Sequence, residues 1–300
     1  MKKDISIIGV PMDLGQTRRG VDMGPSAIRY AGIVERLEKL NYTIHDLGNI
    51  EIARPDRHAP EREDKLRNLN EVVEANANLA KVVDEQVKKN RFPLVLGGDH
   101  SIAIGSLAGV SRHYENLGVI WYDAHGDINT PETSPSGNIH GMPLAASLGL
   151  GHKKLTSILD ERPKINPENV VLIGIRDLDE GEKELLRRLK IKVYTMHEID
   201  RLGMPQVIKE TIDYLKKRTD GVHLSFDLDG INPSEAPGVG TPVIGGVSYR
   251  ESHLALEMLA EADIITSAEF VEVNPMLDDK SKTAILTVAL AGSLLGEKLI

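Results

Sequence analysis

The chain has 300 residues, 41% of them hydrophobic, enough to bury a substantial core in one large α/β domain or two small ones. A charged fraction of 27% and a formal net charge of -9 suit an acidic protein in water and exclude a nucleic-acid partner, which would need a basic patch. No apolar run approaches a membrane span, and the lack of cysteine excludes disulfides, thiolate nucleophiles and cysteine-ligated zinc.

The N-terminus carries charges but neither a long apolar stretch nor a cleavage site, so a cytoplasmic enzyme is expected. Residues 5–10 read as a first strand. The loop 15–20 lacks the Lys-Ser/Thr of a P-loop, because Val21 and Asp22 follow Gly20, and no Gly-x-Gly-x-x-Gly occurs, so nucleotide binding is disfavoured. Pro25 to Leu40 has helical spacing, 42–47 a short strand, 51–63 a polar loop, and 66–89 a long helix pattern. Residues 92–97 form the next buried strand, ending in Gly98-Asp99-His100-Ser101, and 102–114 are helical. The apolar run from Gly118 to Tyr122 is a strand ending in Asp123-Ala-His125-Gly-Asp127, followed by a Ser/Pro/Gly/Asn loop over 129–141. Further strands are read at 169–175, 191–195, 222–226 and 264–273, with a closing helix over 283–295. Alternating strands and helices predict a mostly parallel sheet covered on both faces, with residues 1–300 as one domain.

In such sheets ligands bind beyond the carboxyl ends of the strands. His100 follows one strand there, Asp123, His125 and Asp127 a second, Asp179 and Glu182 a third, Asp227 and Asp229 a fourth, and Glu272 ends the last. In an extended segment Asp123, His125 and Asp127 would share one face. The candidate metal ligands are His100, Asp123, His125, Asp127, Asp227 and Asp229. Four clustered carboxylates call for about four positive charges, which two divalent ions supply. Oxygen and imidazole donors without sulfur suit Mn²⁺, with Co²⁺, Fe²⁺, Ni²⁺ or Zn²⁺ open. Metal-assisted hydrolysis is the expected reaction class.

The segments Gly97-Gly-Asp-His100-Ser, Asp123-Ala-His-Gly-Asp127, Ser225-Phe-Asp-Leu-Asp229 with Pro233, Pro237 and Gly238, and Glu272-Val-Asn-Pro275 resemble the ureohydrolase family, and within it the arginases. The resemblance covers essentially the whole chain. It implies a three-layer α/β/α fold with an eight-stranded parallel sheet and two Mn²⁺ ions per subunit. It also implies hydrolysis of L-arginine to L-ornithine and urea by a metal-bridging hydroxide. His100, Asp123 and Asp127, with Asp227 or Asp229, would hold one ion or bridge the pair, and His125 would belong to the second.

By the same resemblance Asp127 is a catalytic proton-transfer group, and His140 a proton shuttle, expected as neutral imidazole near a pKa of about 6.5. Glu272 would orient the guanidinium. Asn129, Ser134, Ser136 and Asn138 would receive the substrate α-carboxylate, and Asp179 and Glu182 its ammonium. The family also implies a homo-oligomer, trimer or hexamer, with no nucleic-acid or membrane partner.

The sequence departs from the arginase pattern at Asn232, where an outer-shell carboxylate that tunes metal affinity is expected. Some of these residues also have a plainer reading. Asp179 and Glu182 could simply serve a helix N-terminus, and Glu269 and Glu272 could be solvated edge charges. His45, His58, His113, His152, His197, His223 and His253 lack motif context and read as surface or packing residues. Two other functions stay open: another ureohydrolase, such as an agmatinase or guanidinobutyrase, and a metal-binding regulatory protein without turnover.

Overall fold

The computed structural model describes residues 4–53 and 66–300. Most of the polar 51–63 loop, and His58 with it, lies outside the described residues. Eight strands form one sheet in the order β2-β1-β3-β8-β7-β4-β5-β6. They are β1 (Asp4–Val10), β2 (Thr43–Asn49), β3 (Phe92–Gly97), β4 (Leu117–Tyr122), β5 (Val170–Ile175), β6 (Lys192–Thr195), β7 (Gly221–Asp227) and β8 (Ile265–Val271). Every neighbouring pair is parallel. β3, β4 and β5 are buried along their whole length, which explains their unbroken apolar sequences.

Strand alternation divides the core into two layers. Ile120, Tyr122, Leu224, Phe226 and Phe270 face one side, packed with Ile28, Val207, Leu256 and Leu290 from the helices Gly24–Tyr30, Met204–Lys216, Tyr249–Ala262 and Lys282–Leu294. Val119, Trp121, Leu172 and Val271 face the other, against Leu79, Leu107 and Leu186 from Leu69–Lys88, Ala103–Val110 and Glu180–Leu189. The result is the expected three-layer α/β/α arrangement. Among the described residues no helix is long and apolar enough to cross a membrane.

Two elements differ from their predicted form. The helix read over 25–40 is broken into Gly24–Tyr30 and Ile33–Glu38, because Gly32 takes a left-handed backbone (φ 89°) that interrupts the hydrogen-bond ladder. The segment 102–114 is α-helical only over Ala103–Val110, with a tighter turn at each end.

Gly98 ties the site edge together. Its N–H donates to Val10 O (3.0 Å) and its carbonyl accepts from Glu272 N (2.9 Å), joining the ends of β1 and β8. A Cβ at Gly98 would lie 2.1 Å from Met12 O, so no other residue fits.

Candidate metal centre and substrate cleft

The polar clusters emerge from five neighbouring strands, β3, β8, β7, β4 and β5, all at their carboxyl ends. β4 stops at Tyr122, and the chain bends over 123–125. Asp123, His125 and Asp127 therefore converge through a turn, not through strand alternation as the sequence reading supposed. His125 N donates to Asp123 Oδ1 (2.7 Å), and Asp127 takes a left-handed backbone (φ 48°). Glu272 is left-handed as well (φ 66°), so the site contains local strain that the surrounding packing holds in place.

His100 Nδ1 is the focus. It lies 3.1 Å from Asp123 Oδ2, 2.9 Å from Asp127 Oδ2 and 3.1 Å from Asp227 Oδ2, yet it makes no hydrogen bond. One ring nitrogen cannot satisfy three carboxylates, whereas a cation at their common point can. His100, Asp123 and Asp227 form one group of potential metal-ligating atoms, and Asp123, His125 and Asp229 form a second. Asp123 belongs to both, which makes it the candidate bridge. His125 Nδ1 is 3.1 Å from Asp229 Oδ2, and Thr241 Oγ1 donates to that same oxygen at 3.0 Å. Trp121 stacks on His100 with ring centroids 4.2 Å apart and donates from Nε1 to Asp123 Oδ2 (3.0 Å).

The electrostatics carry the same message. Burial and the charges of Asp229 and Asp123 push Asp227 well above the ordinary carboxyl range. Burial and Asp123 push Asp127 up to about 6. Burial opposes charge on His100 and His125 too, but the carboxylates around them outweigh it and hold both imidazoles well above their ordinary value. Four carboxylates against two imidazoles leave excess negative charge in a dry site, and two divalent ions would neutralise it. The donor set therefore fits a binuclear centre.

One cleft is lined by His125, Asp127, Asn129, Ser134, Ser136, Asn138, His140, Asp179, Glu182, Asp227, Asp229 and Thr241. Every residue expected to meet the substrate backbone is there. Asn129 Nδ2 donates to Asp179 Oδ2 (2.8 Å), coupling the 129–141 loop to the start of the helix Glu180–Leu189. Glu182 Oε2 accepts from Asp179 N (2.9 Å) and Oε1 from Ile128 N (3.2 Å), so it does serve the helix N-terminus while facing the cleft. Burial, then Asp127 and Asp179, raise its carboxyl to about 7.

Glu272 does not line this cleft. It is buried, and its carboxylate accepts from His100 N (2.9 Å) and Gln16 Nε2 (3.0 Å), with His140 Nδ1 3.3 Å away. Burial disfavours charge on His140, but the Glu272 carboxylate outweighs it and raises the imidazole to about 9. Glu272 thus favours the protonated form of His140, where the sequence suggested a neutral ring.

Asn232 is also placed differently from its expected outer-shell position. Its Oδ1 accepts from Ser234 N (3.3 Å) and its backbone N–H donates to Val247 O (2.9 Å), so it shapes a turn instead of bonding to a metal ligand.

Residues 3–296 match the Arginase family. The chain belongs to the arginase family. It is 72% identical over 298 residues to an arginase of Bacillus caldovelox, covering 99% of this chain and 100% of that protein. The structure of a Bacillus caldovelox arginase at pH 5.6 superposes with a TM-score of 0.98, at 72% identity, over 99% of this chain and 100% of that one. An arginase of Entamoeba histolytica in complex with L-ornithine superposes with a TM-score of 0.91 at 35% identity, over 98% and 99%. The chain is accordingly an arginase-type hydrolase. Three supporting residues of this arginase-family site had no signal in sequence: Gln16, Trp121 and Thr241. Each acts through a side-chain contact that motif spacing does not encode.

Proposed function

We propose that this chain hydrolyses the guanidinium group of L-arginine to L-ornithine and urea on a pair of Mn²⁺ ions. His100, Asp123, Asp127 and Asp227 would hold one ion, and Asp123, His125 and Asp229 the other. The observation that carries the reading is the convergence of three carboxylate oxygens on the unbonded Nδ1 of His100. When bound, the two ions supply Lewis acidity and the charge that keeps the carboxylates ionised.

The chain's own groups do the rest. Asp127 would accept a proton from the attacking water and pass it to the departing amine nitrogen. His140, 18% exposed in its side chain, exchanges protons between that site and solvent. Glu272 raises the proton affinity of His140 and favours the cationic substrate. Asn129, Ser134, Ser136 and Asn138 offer amides and hydroxyls to the α-carboxylate, while Asp179 and Glu182 offer carboxylates to the ammonium. An acid-lined cleft with these polar rims suits an amino acid that ends in a guanidinium.

The bound L-ornithine in the Entamoeba histolytica arginase is the product this reading assigns to the reaction. The same reading makes residues 1–300 one domain, consistent with one continuous sheet, in a cytoplasmic homo-oligomer (trimer or hexamer). A substrate panel scored by urea release, with and without added Mn²⁺, tests it. L-arginine is expected far ahead of agmatine and guanidinobutyrate. Equal turnover of agmatine would replace the substrate assignment, and full activity after metal stripping would end the two-ion reading.

A further inference from the structure

Behind the metal centre, between β7 and β8, lies a set of polar side chains that the reaction above does not use. His223, Ser225, Ser267 and Glu269 are each at most 1% exposed, in strands that are otherwise largely apolar. They face one another in register, Ser225 beside Glu269 and His223 beside Ser267. Glu269 is not the solvated edge charge its sequence context suggests.

The contacts form a directed chain. His100 turns Nδ1 to the carboxylates, so a ring that binds a cation there carries its proton on Nε2. Nε2 lies 2.7 Å from Ser225 Oγ. Ser225 Oγ in turn donates to Glu269 Oε1 at 2.7 Å. Beyond it, His223 Nε2 lies 3.4 Å from Glu269 Oε1, and His223 Nδ1 lies 2.9 Å from Ser267 Oγ. A carboxylate only accepts, and a hydroxyl has one proton to give. With that proton committed to Glu269, Ser225 has only lone pairs left for His100, and His100 must donate. If the carboxylate were absent, Ser225 could turn and donate to Nε2. The imidazole proton would then sit on Nδ1, where the ion belongs. Packing alone gives no reason for a carboxylate at this depth, since burying one is costly and an apolar side chain would fill the space.

We propose that Glu269 is a positioning residue of the metal centre: through the hydroxyl of Ser225 it fixes His100 in the form protonated on Nε2 and aims the free Nδ1 at the ion. Burial raises the Glu269 carboxyl, but His223, His100 and Ser106 outweigh it and hold it below the ordinary range, so the acceptor stays charged. The proposal rests on the two-ion reading, and the experiment separates the two.

Mn²⁺ is titrated calorimetrically into metal-stripped wild type, Glu269→Gln, Ser225→Ala and the double variant. Wild type should take up two ions. Each single variant should weaken one of them by about 10- to 100-fold and leave the other unchanged. Because Glu269 acts through Ser225, the double variant should bind no more weakly than Ser225→Ala alone. Additive losses, equal weakening of both ions, or wild-type affinity in a folded Glu269→Gln protein overturn the proposal. If Glu269→Gln does not fold, Ser225→Ala, which removes a single oxygen, decides alone: wild-type affinity there overturns the relay. A wild-type protein that takes up no Mn²⁺ overturns the two-ion reading, and the relay with it.

Discussion

Replacing His140 by asparagine removes a charge whose worth follows from its surroundings. Burial opposes the imidazolium, but the Glu272 carboxylate 3.3 Å away outweighs it and sets the folded value at about 9, against about 6.5 in an unfolded chain. A raised folded value means the native protein holds this proton more tightly. The stabilisation is therefore complete below about pH 6.5 and is lost as pH rises through about 9. At about 1.4 kcal/mol per pH unit the gap corresponds to about 3 kcal/mol. The side chain is 18% exposed, so solvent screening trims this to about 2 kcal/mol. Urea denaturation of metal-free wild type and His140→Asn at about pH 6 and about pH 10 reads it directly. The stability difference between them should shrink by about 2 kcal/mol toward the alkaline end. A difference independent of pH refutes the ion-pair account, and one that grows with pH reverses its sign. With two dications bound nearby, the imidazole's proton affinity would fall. There the same variant should lose turnover at normal metal content; loss of metal instead would make His140 a ligand.

Three further outcomes follow from the geometry. Asp123→Ala should abolish uptake of both Mn²⁺ ions by elemental analysis, because Asp123 lies in both ligand groups, whereas His125→Ala should retain one; a single-ion loss in both variants would remove the bridge. Asp179→Ala should lower kcat/KM for L-arginine by roughly ten- to 150-fold with two ions still bound, the worth of one hydrogen bond to a charged group of about 1.5–3 kcal/mol. An unchanged preference for arginine over agmatine would remove Asp179 from substrate recognition. Gly98→Ala should destabilise the fold by about 3 kcal/mol, the upper range for overpacking, since the new Cβ would press on Met12 O. A wild-type thermal melt would contradict the close approach of β1 and β3.

The candidate metal shell is legible because its acidic and histidine residues cluster in short segments at the ends of apolar strands, and apolar strands are the clearest local signal in a parallel α/β chain. Asp227 and Asp229 show this well: one ends β7 and the other follows it, at the sheet edge where ligands bind. Asp123, His125 and Asp127 are gathered by a turn and not by a strand pleat, which residue spacing alone does not distinguish. What stayed hidden depends on depth and on long-range contact. Glu269 and Glu272 look alike in sequence, yet one is linked through Ser225 to the far nitrogen of His100 and the other pairs with His140. The raised proton affinity of His140 likewise comes from a residue 132 positions away. The break at Gly32 was missed because glycine is tolerated within helical spacing until its backbone angle is seen.

The position of β8 has a consequence for how the protein is made. It is the last strand in the chain, yet it lies between β3 and β7 in the sheet. As the chain leaves the ribosome, β2-β1-β3 and β7-β4-β5-β6 can each pair, but nothing joins them until residues 265–271 emerge. His100 belongs to the first group, and Asp123, Asp227 and Asp229 to the second. The group of Asp123, His125 and Asp229 thus lies within one half, whereas the group that includes His100 is completed only when the sheet closes. Such a late, non-local step slows folding. It also ties completion of the His100 ligand group to arrival of the last strand.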